Sequence, residues 1–97
     1  MRSAIRHTCR LGIRVLHQGC ITSATLLDIS RSGAHVSGVQ GLRPDTAITL
    51  LCEEIEIRGW TRWVRGETMG VEFVQPITAA QLTLLLAFSE ERAQQKP

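Results

Sequence analysis

The sequence predicts a mainly β fold: six short antiparallel strands forming a barrel, then one C-terminal α-helix. Three observations carry this. Apolar and polar residues alternate from Arg10 to about Val74, in short runs separated by clusters of Gly, Asp, Ser and Pro. After Pro76 the period changes, and Leu82, Leu85 and Leu86 recur at helical spacing. The 97 residues, without repeat or linker, suit one domain with one modest core.

The elements follow in order. Residues 1–9 lack periodicity and read as a flexible N-terminal arm, which leaves 10–75 for the barrel. In the first strand Leu11, Ile13 and Val15 point one way, and Arg10, Arg14 and Leu16 the other. HQGC is a turn, and residues 20–29 form the second strand, with Ile21, Leu27 and Ile29 among its apolar positions. SRSG turns the chain into a short third strand through Ala34 and Val36. SGVQGLRPDT is a loop rich in turn formers. Residues 46–52 form the fourth strand and 54–65 the fifth, with Gly59 a candidate bulge or close approach. GET turns the chain into the sixth, 69–74, and strands at this spacing suit a closed barrel. Thr78 with Gln81 reads as a capping box opening a helix over 78–94, and Leu84 and Phe88 widen its apolar face. That face either covers the barrel or packs against another chain.

Composition narrows the function. Hydrophobic residues are 43% and charged residues 21%, an ordinary globular balance. No apolar run approaches the ~20 residues of a membrane span. The first 15 residues carry four arginines rather than the apolar block of a signal peptide, so a cytoplasmic protein is expected. Three widely spaced cysteines without CxxC argue against a disulfide framework and a zinc site, and read as buried or half-buried thiols. His7, His17 and His35 show no ligand spacing and no paired nucleophile, and receive no chemistry. No catalysis, metal or cofactor is expected.

Charge is uneven although its net value is only +2. Arg2, Arg6, Arg10 and Arg14 precede the first carboxylate, Asp28, and the ten arginines face a single lysine, Lys96. The guanidinium fork pairs bidentately with phosphate and stacks on rings, so the bias suggests a planar or phosphorylated anion. A solvated terminus is the plain alternative. A net +2 falls short of the basic stripe of a protein that binds nucleic-acid polymers.

The stretch DISRSG, residues 28–33, has a plain reading as well. Gly33 would take positive φ to close a turn, and Asp28 and Ser30 would bond turn amides. The ordered set of motifs goes further. Arg2 and Arg6 form RxxxR, Asp28, Ser30 and Gly33 form DxSxxG, GWTRWVR and MGVEF follow, and a helix closes the chain. This order resembles the PilZ domain family. Arg6 and Arg10 are also spaced RxxxR, but Arg10 falls inside the first strand, so the Arg2/Arg6 register fits better.

The resemblance implies a split-barrel type of six-stranded fold that binds cyclic di-GMP, a bacterial second messenger, through Arg2, Arg6, Asp28, Ser30 and Gly33. Arg10 and Arg31 are additional candidate contacts. Arginine can read guanine O6 and N7, stack on the purine and neutralise phosphate. Asp28 can accept from guanine N1–H and N2–H, Ser30 can serve either partner, and Gly33 keeps a side chain out of the ligand's way. The implied role is a receptor that changes conformation on binding and signals to a partner protein. A ligand-independent adaptor of the same fold is the alternative. His7 and Thr8 stand where the family often has an apolar residue and proline, which raises the ordering cost by about 1–2 kcal/mol per residue fixed. Trp60 and Trp63, three apart on one strand, are predicted on opposite faces, one in the core and the other at the surface, with a platform for a base or a partner as its functional alternative.

Overall fold

The computed structural model describes residues 5–94, with side chains described through Glu91. Six strands, β1 (His7–His17), β2 (Cys20–Ile29), β3 (Gly33–Ser37), β4 (Ala47–Cys52), β5 (Ile55–Arg65) and β6 (Thr68–Phe73), precede one helix, α1 (Ala79–Gln94). The sheet closes as a barrel in the order β1-β2-β3-β6-β5-β4, every pair antiparallel. Leu11, Ile13 and Val15 of β1 point inward as predicted and meet Leu26, Val36, Leu50, Met69 and Val71 in one buried cluster. In β2 the inward positions are Ala24, Leu26 and Ile29, whereas Leu27 is half-buried and Ile21 exposed.

One boundary differs from the sequence reading. His7, Thr8 and Cys9, assigned there to the arm, belong to β1, where His7 pairs with Ile29 and Thr8 with Asp28. Strand β2 runs far enough to offer them a hydrogen-bonding edge. Thr8 and Arg10 face out and Cys9 packs against the core, so they continue the alternation of β1, although the register against β2 shifts between Thr8 and Leu11.

Such a shift is a β-bulge, and where the extra residue breaks the alternation of its own strand it moves everything beyond it to the opposite face. Two more matter for function. One lies between Leu26 and Asp28 against β3, the other between Thr61 and Trp63 against β6. The first lets both Leu26 and Ile29 face inward while Asp28 faces out. The second turns Trp63 outward. Thr61, fully buried beside it, accepts the Thr46 N–H (3.0 Å) and donates to the Arg43 carbonyl (2.6 Å), pinning the long 38–46 loop.

The helix covers the barrel. Leu85 is buried in the core, and Leu82, Leu86 and Phe88 pack against it, leaving Leu84 exposed. The capping box forms as read: Thr78 N–H donates to Gln81 Oε1 and Gln81 N–H to Thr78 Oγ1, both at 3.0 Å. Ser89 reaches the bulged stretch of β1, accepting from Arg10 N–H (3.2 Å) and donating to Arg10 C=O (3.3 Å). It thus satisfies backbone groups that a bulge leaves without ladder partners.

Candidate functional site

The two bulges and the hairpin register build a single row on the outer face. Thr8, Asp28, His35, Gly70 and Trp63 lie directly opposite one another in turn across β1, β2, β3, β6 and β5. Gly70 gives this row its shape. The Trp63 indole lies across it, where a Cβ would fall on the indole nitrogen. The ring therefore reaches over β6 to His35, with ring centroids 5.3 Å apart and planes tilted by 47°. The Arg65 guanidinium sits 5.5 Å from the Trp63 ring centroid.

Asp28 stands at the other end of the row. Its Oδ1 accepts from Arg6 Nη1 at 2.8 Å and from the His35 backbone N–H at 3.2 Å. Its Oδ2 meets His35 Nδ1 at 2.5 Å. An ionised carboxylate has about four lone-pair sites. Three are used, and moving Arg6 would free a second, leaving one on each oxygen. The Arg6 side chain is 49% exposed, and an ion pair this open is worth only about 0–1 kcal/mol, so an incoming anion can draw Arg6 away cheaply. Cys9 lies near Asp28, and burial, with the Asp28 charge adding to it, pushes its thiol up to about 11.

The turn between β2 and β3 holds Asp28 in place. Ser30 is buried, and its hydroxyl accepts the Ser32 and Gly33 N–H groups (3.2 and 3.1 Å) and donates to the Gly33 carbonyl (3.3 Å). Its contribution is thus to shape the turn. Gly33 does not adopt positive φ, contrary to the sequence reading. It is glycine because a Cβ there would lie 2.5 Å from the Val71 carbonyl oxygen of β6. That atom is strand backbone rather than ligand space.

The other candidates fall as follows. Arg2 lies outside the described residues. Arg6 stands just before β1, on Asp28. Arg10 lies within β1 and is exposed. Arg31 donates from Nε to the Ile77 carbonyl (2.8 Å), and Ile77 N–H donates to the Arg31 carbonyl (2.8 Å), tying the turn to the chain entering α1.

Sequence reasoning missed several members of the row. Trp60 and Trp63 do not face opposite sides, because the bulge at Arg62 resets the alternation and brings both out. Gly59, read as a bulge or close approach, is the latter: a Cβ would lie 2.5 Å from the Glu72 carbonyl oxygen. His35, given no chemistry, touches both Asp28 and Trp63. The signal was available, since a hairpin turning at Ser30–Gly33 pairs residue 29 with 34 and 28 with 35. Cys20 is exposed rather than buried. Among the described residues no group of three His, Cys, Asp or Glu could hold a metal.

The outer face of the barrel thus gathers a carboxylate, guanidinium groups and an aromatic ring. Comparison with known proteins gives the family: a PilZ domain model matches residues 1–91, and the chain belongs to the PilZ domain family. A solved structure of the Bacillus subtilis inhibitor of motility (MotI/DgrA) superposes with a TM-score of 0.65 at 21% sequence identity. That match covers 99% of this chain and 52% of that one, so the chain spans about half the length of this structural neighbour. No curated protein matches the chain. Among the described residues no helix is long and apolar enough to cross a membrane.

Proposed function

We propose that this chain is a receptor for cyclic di-GMP that passes its signal to a partner protein in the bacterial cytoplasm. The observation that carries the reading is Asp28, turned outward by a bulge, holding Arg6 in reserve and facing along a row to Trp63. A guanine edge presents N1–H and N2–H together. With Arg6 withdrawn, Asp28 has one acceptor site on each oxygen to receive them. Arg6 then serves phosphate or the O6/N7 edge, and Arg2 can join it. Trp63 offers a face on which a base can stack, worth ~1–3 kcal/mol. Ser30, Gly33 and Arg31 support this arrangement by fixing the turn, and PilZ domains are binding and adaptor modules rather than enzymes.

The test is isothermal titration of the full chain with cyclic di-GMP, with GTP as control. Selective, saturable heat is expected, with a stoichiometry that separates one ligand from a stacked pair. Arg6→Ala and Asp28→Ala should each lose binding at least tenfold, with unchanged circular dichroism. Parent-like binding by both variants would remove the assignment. The adaptor reading rests on a different surface, the exposed Trp60 and Val74. Retained partner binding by an Arg2/Arg6 double variant would favour it.

A further inference from the structure

We propose that His35 is a positioning residue that fixes the Asp28 carboxylate and thereby sets the selectivity of this site for guanine. The inference rests on the receptor reading above and adds a residue that the binding motif does not contain. His35 meets Asp28 twice, through its backbone N–H on Oδ1 (3.2 Å) and its ring Nδ1 on Oδ2 (2.5 Å). A carboxylate bonded on both oxygens by one neighbouring residue cannot rotate about its terminal torsion without breaking a contact, whereas such torsions are otherwise broad. The ring that donates is itself held. It packs against Trp63 at 5.3 Å, and that ring in turn lies over Gly70 and under Arg65.

Preorganisation of this kind shows in discrimination more than in bulk affinity. A carboxylate aimed by His35 accepts guanine N1–H on one oxygen and N2–H on the other. A base without the exocyclic amine leaves one acceptor unanswered and should bind less well. If the carboxylate swings freely, the second contact weakens while stacking and phosphate contacts persist. Loss of His35 therefore penalises guanine more than hypoxanthine.

The experiment titrates parent, His35→Phe, His35→Ala and His35→Asn with cyclic di-GMP and with cyclic di-IMP, which lacks the exocyclic amines. Thermal melts check that each variant folds. His35→Phe keeps a ring and loses the donor, His35→Ala loses both, and His35→Asn keeps an N–H donor near the Nδ1 position. We expect Phe and Ala to lose about tenfold in affinity for cyclic di-GMP and less than threefold for cyclic di-IMP, with Asn staying within about threefold of the parent for both. Equal losses for the two ligands would mean a merely structural role and overturn the proposal. So would parent-like selectivity in both Phe and Ala, or an Asn variant as impaired as Ala. If the parent binds neither ligand, the receptor reading itself fails and this inference falls with it, an outcome visible before any variant is measured.

Discussion

Gly70→Ala separates the outward placement of Trp63 from the fold. The added methyl would overlap severely with the indole nitrogen of Trp63 and crowd two further indole atoms. The β6 backbone cannot retreat, because Gly70 is held between His35 of β3 and Trp63 of β5. Trp63 must therefore lift off, giving up its contact with His35 and disturbing its Arg65 partner. An aromatic contact is worth ~0.5–1.5 kcal/mol beyond area, and a cation–π contact at an exposed site ~0.5–1 kcal/mol. The stability loss should be about 1–2 kcal/mol, a Tm drop of roughly 4–16 °C for a domain of this size. The binding loss should be larger in proportion, since stacking of one base is worth ~1–3 kcal/mol, about 5- to 150-fold in Kd. Calorimetric melting and titration with cyclic di-GMP read the two effects separately. Gly33→Ala is the control, because its methyl meets the Val71 carbonyl oxygen at 2.5 Å and must push β3 and β6 apart. It should cost more stability than Gly70→Ala and leave the Trp63 emission closer to that of the parent. A Gly70→Ala variant with parent Tm, parent emission and parent affinity would refute the argument that Trp63 lies across the row.

Other expectations follow from the turn and the cysteines. Ser30→Ala leaves the Ser32 and Gly33 amides without the hydroxyl that accepts them, at a cost of about 1–3 kcal/mol, so its melt should shift down by at least ~4 °C. An unchanged melt would show that water replaces the hydroxyl without loss. In the native protein at pH 8, alkylation followed by mass spectrometry should modify exposed Cys20 first, because the Cys9 thiol is pushed up to about 11. Unfolded, Cys9 ionises near its ordinary 9.0. The folded state thus holds its proton longer, and the stability this contributes is present below pH 9 and lost as pH rises to about 11. Cys9→Ser should flatten that alkaline loss in denaturant titrations, and an undiminished slope would assign it to other groups.

The fold was legible because its signals are local. Alternation gave the strands, HQGC and GET gave turns, and the Thr78–Gln81 box gave the helix start to within one residue. Arg6 and Asp28 were legible as a motif pair and do meet. What the residues hid was parity. A period of two tells which face a residue takes only until an extra residue intervenes. Nothing in LLDI or TRWV announces where that happens, because a bulge is settled by how two strands must cover one core. Hence the misplacement of Trp63, whereas the pairing of His35 with Asp28 was readable from the hairpin and went unused. Gly33 was misread for a related reason: its constraint comes from β6, far along the chain, whose Val71 and Glu72 meet it only in three dimensions.

The bulges also decide where a barrel this small can carry chemistry. Its interior is filled by its own side chains, with a void of only about 10 Å³ among residues such as Ile13, Leu26, Leu50 and Leu85, no more than one water would need. Chemistry must therefore sit outside. On a regular antiparallel strand an outward residue is flanked by inward ones at fixed spacing, and Asp28, two positions from buried Leu26, would point into the core. A buried unpaired carboxylate there would be strongly destabilising. One extra residue at Leu27 avoids that cost, turning the acid outward into the row while Ile29 returns to the core. The same device at Arg62 brings Trp63 to that row from the far side. Deleting Leu27 would set Asp28 directly after Leu26, which leaves Asp28 outward and Ile29 inward on an unbulged strand, so the shortened chain should keep the acid at the surface and still melt cooperatively. Loss of the cooperative transition in the shortened chain would overturn this account of which face Asp28 takes.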